Sequence, residues 1–117
     1  MHNTLDKIFE GLASPKRRGI ITTLAYRPAT ISQLAEEHQL SLPAIHKHIK
    51  ILESAQLIQR RKFGRTNFVA FNARSMSMAQ DWINQYSTAW GSNQETLENY
   101  IFSLRKEHEP RKRSVDY

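Results

Sequence analysis

Leu5, Ile8, Phe9 and Leu12 fall at the three, four and seven spacing of one helical face, which predicts a short amphipathic helix over Leu5 to Ala13. Ser14 can cap free amides and Pro15 suits a first helical turn, so a second helix is predicted over Pro15 to Tyr26 with Ile20, Ile21 and Leu24 inward. Gly19 within it costs about 1 kcal/mol relative to alanine; either it admits a close neighbour or it is simply tolerated. Arg27-Pro28-Ala29 breaks the pattern. Thr30 with Gln33 three residues on is a capping-box signal, opening a third helix to Glu37 with Ile31, Leu34 and Ala35 inward. After His38-Gln39-Leu40, Ser41 and Pro43 repeat the cap-and-proline signal, and a fourth helix is predicted from Leu42 to Ala55 with Leu42, Ile45, Ile49 and Leu52 buried.

The period then changes. Leu57 to Lys62 and Asn67 to Phe71, flanking Phe63-Gly64-Arg65-Thr66, predict a β-hairpin with Val69 and Phe71 inward. Phe68 interrupts that alternation, leaving an apolar face for another element or a second chain. From Arg74 to Lys106 the helical period returns, with Trp82, Tyr86, Trp90, Leu97, Tyr100, Ile101 and Leu104 on one stripe and Gly91-Ser92-Asn93 as the point where it bends or breaks. Glu109 to Tyr117 carries no apolar pattern and is predicted to be a mobile basic tail. The expected architecture is mainly α with one small hairpin, five helices plus a wing, in a single domain over residues 1–108. Helices three and four across a tight turn form a helix-turn-helix, whose second member commonly enters the DNA major groove.

Composition narrows the function. The chain has 117 residues, room for one ordinary domain, and is 39% apolar and 24% charged, within the globular range. Its longest apolar run, Phe68 to Phe71, is four residues, so no membrane span is expected and a cytoplasmic location is. The absence of cysteine excludes disulfides, thiolate metal sites and a cysteine nucleophile. No motif sets a nucleophile beside a base, so an enzyme is not expected. Formal net charge is +6, and all of it resides between His46 and Arg74, where Lys47, Lys50, Arg60, Arg61, Lys62, Arg65 and Arg74 face the single acid Glu53. A polyanionic partner fits such a localised basic surface.

At 100° per residue the outward arc of the fourth helix presents Pro43, Ala44, Lys47, Lys50 and Ser54, with His46 and His48 on its flanks. Small residues near the N-terminus permit close approach, and lysines beyond them meet phosphate or guanine. A solvated helix surface would look similar. The hairpin decides between them, because an ordinary exposed hairpin mixes signs and this one holds four cations without an acid. Ser41, Pro43, Ala44, His46, Lys47, Lys50, Arg60, Arg61, Lys62 and Arg65 are therefore the expected DNA-contacting set. RNA binding lacks an expected aromatic platform. A protein-interaction module using the aromatic C-terminal helix is the alternative from another class.

The runs Leu12-Ala13-Ser14-Pro15-Lys16-Arg17-Arg18, Ile31-Ser32-Gln33-Leu34-Ala35 and Ser41 to Glu53, followed by the basic Gly64-Arg65 wing, closely resemble the ArsR-type winged helix-turn-helix repressors. That resemblance implies a homodimer paired through its first and last helices on a palindromic double-stranded DNA operator, with recognition helices about 34 Å apart. The interface would take Leu5, Ile8, Phe9, Trp82, Tyr86, Trp90, Leu97, Tyr100 and Ile101. Three positions depart from the pattern: His46 replaces the usual serine, Gln56 the usual glycine and Ser14 the usual aspartate. A left-handed Gln56 would cost roughly 1 kcal/mol. Arg17 and Arg18 match the family's basic pair, with ion pairs to Asp6 or Glu10 and phosphate contact as competing readings. Many relatives sense metals through cysteines on the third helix or Asp, His and Glu on the last. Neither set is present, so no metal or cofactor is expected, and His38 with Glu36 or Glu37 is read as a solvated turn. The aromatic stripe admits a pocket for a small-molecule inducer, although aromatics at helical spacing are more often plain interface core.

Overall fold

The computed structural model describes residues 4–86 and 93–108, in which six helices and three strands alternate as α1 (Thr4–Leu12), α2 (Pro15–Tyr26), β1 (Ala29–Thr30), α3 (Ile31–Glu37), α4 (Leu42–Ser54), β2 (Ile58–Phe63), β3 (Thr66–Phe71), α5 (Ala73–Asn84) and α6 (Asn93–His108). The caps that predicted α2, α3 and α4 all form. Ser14 accepts from the Arg17 amide, Ser41 from the Ala44 amide, and Thr30 and Gln33 make the reciprocal capping box. The chain divides into two compact units, Met1–Asn84 and Gln85–Tyr117, where the apolar pattern suggested one domain to residue 108.

In the first unit Ile8, Ile20, Leu34, Ile45, Ile49, Leu52, Leu57 and Val69 are fully buried, joining α1–α4 to the sheet in one core. Ile8 is 0% exposed, which removes it from the expected dimer interface: the α1 position nearest the core packs within its own chain. Leu42 is 54% exposed and is likewise a correction. It is the first residue of α4, and the buried face begins a turn later at Ile45.

The sheet has the order β1-β3-β2, all antiparallel. Its third strand has no signal in the sequence, since β1 is two residues long and exists only by pairing Ala29 with Val69 and Thr30 with Phe68. The alternation in β3 is regular once both faces are seen. Asn67, Val69 and Phe71 lie on the core face with Ile58, Arg60 and Lys62, and Phe68 lies on the outer face across from Arg61.

Helices α3 and α4 end alike. Leu40 donates its amide to Ala35 and Gln39 to Glu36; Leu57 donates to Leu52 and Gln56 to Glu53, giving two Schellman caps. Each needs a left-handed residue, supplied by Gln39 at φ 56° and, at the position where the family pattern has glycine, Gln56 at φ 59°. Gly19 admits a neighbour, because a Cβ there would lie 3.3 Å from the His38 ring. His38 is thus packed against α2 rather than solvated, with Nε2 3.0 Å from the Thr23 hydroxyl.

The helix expected over residues 74–106 is two helices, α5 and α6. Trp90, the Gly91-Ser92 break and the tail 109–117 lie outside the described residues.

Candidate nucleic-acid interface

Helix α4 stands on the core through Ile45, Ile49 and Leu52 and turns Ser41, Pro43, His46, Lys47 and Lys50 to solvent, with Ala44 half-buried between them. Ser41 uses its hydroxyl oxygen to hold the Ala44 amide at 3.2 Å, so the start of α4 is fixed from within the chain. Lys50 lies toward α1, bordering a shallow recess that Lys7, Glu10, Ile51 and Ser54 also line.

The wing is anchored to this helix by its charges. Arg60 donates to Glu53 through Nη2 at 2.6 Å and Nε at 3.1 Å, a bidentate pair that ties β2 to the last turn of α4. The hydrogen bonds with that carboxylate raise the Arg60 pKa against an opposing effect of burial. The only acid in the basic stretch is therefore spent on one of its seven cations. Arg61, Lys62 and Arg65 make no ion pair within the described residues and remain exposed around the hairpin turn. Gly64 leads that turn at φ 65°, as a two-residue hairpin connection requires. At the other end, Asn72 holds the wing base, its amide donating to Leu57 O and its side chain to Gln56 O, both at 2.9 Å.

Arg17 and Arg18 make no ion pair to Asp6 or Glu10 among the described residues and bind backbone carbonyls instead. Arg17 Nε donates to Gly11 O and Nη2 to Glu10 O, both at 2.9 Å, and Arg18 Nη1 donates to Leu12 O at 2.8 Å. The pair donates to carbonyls at the C-terminus of α1, of which Glu10 O also accepts from the Ala13 amide at 3.2 Å, and cations are favoured there by the helix dipole. Glu10 takes part through its backbone, not its carboxylate. Arg17 Nη1 also lies 3.2 Å from Nδ1 of His48 on α4. Desolvation first, then the charges of Arg17, Lys47 and Lys16, lower the His48 pKa and so favour the neutral ring.

Apolar surface also lies away from α4 and the wing. On α1 and α5, Leu5 and Phe9 are half-buried, and the Phe9 ring meets Trp82 edge-on with centroids 5.5 Å apart. Met78, Trp82 and Ile83 remain exposed on α5. In the second unit Tyr86 is exposed, and α6 exposes Leu97, Tyr100, Ile101 and Phe102, the last under the Lys106 ammonium at 5.6 Å. Met78, Ile83 and Phe102 were not singled out in the sequence, though each sits within the same helical pattern. No cluster of three His, Asp or Glu suited to a metal occurs among the described residues, and none of their helices is long and apolar enough to cross a membrane.

Comparison with known proteins agrees with this geometry. A helix-turn-helix domain family model matches residues 12–61. The HTH-type transcriptional regulator Rv2034 of Mycobacterium tuberculosis is 36% identical over 83 residues, covering 71% of this chain and 78% of that protein. The transcriptional repressor SdpR of Bacillus subtilis is 25% identical over 79 residues, covering 68% of this chain and 88% of its own. Among solved structures, the ArsR family transcriptional regulator RHA00566 superposes with a TM-score of 0.69 at 33% identity, covering 77% of this chain and 93% of that one. The chain is a DNA-binding transcriptional regulator and belongs to the ArsR family of winged helix-turn-helix proteins.

Proposed function

We propose that the protein acts in the cytoplasm as a homodimeric repressor, occupying a palindromic operator with α4 in the major groove and the wing against the flanking backbone. The observation that carries this reading is the Glu53–Arg60 pair, which consumes the one local acid and fixes an otherwise uncompensated cationic hairpin beside α4. Lys47, with Pro43, Ala44 and His46, approaches bases; Ser41, Lys50, Arg61, Lys62 and Arg65 meet phosphate. Arg60, its charge already matched, positions the wing. The first unit, through the exposed residues of α5 with Leu5 and Phe9, and the second, through those of α6, each present apolar surface that a second copy would cover. The repressor name of the Bacillus relative supports the sign of regulation.

The test is fluorescence anisotropy on DNA from upstream of the protein's own gene, against a scrambled duplex, over several salt concentrations. Binding that favours the native fragment by about a thousandfold and weakens steeply with salt is expected. Lys47→Gln should narrow that preference. Equal, weak binding to both duplexes, or a monomer by light scattering at binding concentrations, would overturn the reading.

A further inference from the structure

Phe63 is 78% exposed at the tip of the most basic part of the surface, an expensive place for a phenyl ring. It is the last residue of β2, opposite Thr66, and lies on the outer face with Arg61 and Phe68, the latter 39% exposed. Gly64 follows it, and a Cβ at Gly64 would meet nothing within 4 Å, so no part of the described chain covers the tip. Lys62 precedes Phe63 on the opposite face of β2, Arg65 follows in the turn, and Arg61 shares the face of the ring. A second copy's identical wing would be repelled by these cations, so charge selects a polyanion as the occupant.

Reach selects where on that polyanion the ring lands. The six residues of β2 carry the tip about 17 Å from a base anchored at the C-terminal end of α4. A major groove is about 12 Å wide, so a wing starting from a helix seated in it passes the bordering backbone and ends at the adjacent minor groove. There Arg65 is favoured by the negative potential, and an apolar side chain can press on deoxyribose carbons or wedge at a base step. We infer that Phe63 is an apolar contact of the wing in the duplex minor groove, working beside Arg65 and independently of phosphate neutralisation.

This inference rests on the duplex-binding reading above, and the experiment separates the two. The full-length protein selects duplexes from a randomised pool, and the enriched duplex is titrated with wild type, Phe63→Ala, Phe63→Leu and Arg65→Gln at several salt concentrations. Phe63→Ala should bind about tenfold more weakly, the order expected from uncovering about 60 Å² of ring, with the salt slope unchanged and the thermal midpoint intact. Phe63→Leu should recover much of the loss, and Arg65→Gln should lower the slope by about one. Wild-type affinity for Phe63→Ala overturns the inference while leaving the duplex reading in place. A changed slope in Phe63→Ala overturns it as well, since the wing has then shifted its phosphate contacts. Failure to enrich any duplex, or tighter binding to a single strand of the same sequence, overturns both.

Discussion

Arg17 and Arg18 on α2 and Arg61 and Arg65 on the wing carry the same charge and opposite meanings. The first pair is bound to its own chain: Arg18, though exposed, donates to Leu12 O, and half-buried Arg17 alone joins Glu10, Gly11 and His48 and so links three helices. The second pair is left to solvent around a turn with no acid beside it. Charge counted along the sequence treats them alike. What distinguishes a structural guanidinium from one reserved for a ligand is whether the chain's own carbonyls and carboxylates already occupy its donors.

Exchanging glutamine for each pair tests that distinction with the largest effect. Arg61→Gln with Arg65→Gln should reduce DNA affinity about a hundredfold near physiological salt and lower the salt slope by about two, as expected for two phosphate contacts. Its thermal midpoint should stay within a degree or so of wild type, since neither side chain bonds the chain. Arg17→Gln should behave inversely, losing about 2 kcal/mol of stability from open carbonyls at the end of α1, with the salt slope retained while the protein is folded. Denaturant melts and salt-dependent titrations of the same samples would show it. A double variant that unfolds, or an Arg17 variant that changes only the slope, would reverse the assignment.

The sequence made the helices legible where capping chemistry is local. Ser14 with Pro15, Thr30 with Gln33, and Ser41 with Pro43 fix the starts of α2, α3 and α4 from neighbours within three residues. What depends on distant residues was not legible. Strand β1 exists because Val69 and Phe68 come alongside it, and Leu42 is exposed because the core ends before helical periodicity does. The stripe running from Trp82 to Leu104 is shared by α5 and α6, and Asn93, within the bend or break expected at Gly91-Ser92-Asn93, is the first residue of α6. The cations of the site were readable as a cluster around Gly64. That Arg60 would be spent on Glu53 was not, because the partners lie seven residues apart across a helix end and a strand.

A smaller effect compares the two helix ends with the turn at Gly64, where the left-handed residue is already glycine. At Gln56 the same φ region is imposed on a side chain whose backbone carbonyl holds Asn72. Gln56→Gly should therefore stabilise the fold by up to about 1 kcal/mol, relief of left-handed strain being partly offset by the greater freedom of unfolded glycine. A chemical melt with an unchanged or lower midpoint would mean that the Gln56 side chain contributes more than its strain costs.

The smallest effect probes the inward arginine through its neighbour. Desolvation and Arg17 favour the neutral ring of His48, so its folded pKa lies below the ordinary histidine value of about 6.5. Above that value the ring is neutral in folded and unfolded chains alike and stability does not depend on it. As pH falls below about 6.5 the unfolded chain takes up the proton first, so stability falls with pH until the folded pKa is passed, where the loss is complete. His48→Gln removes this contribution. Between pH 7.5 and 5.5 the wild-type thermal midpoint should therefore drop further than that of the variant, by roughly a degree or two. Arg17→Gln should raise the His48 midpoint in an NMR titration without returning it fully to the ordinary value, because desolvation is the larger cause. Equal pH dependence in wild type and His48→Gln would show that the Arg17–His48 contact carries no charge coupling between α2 and α4.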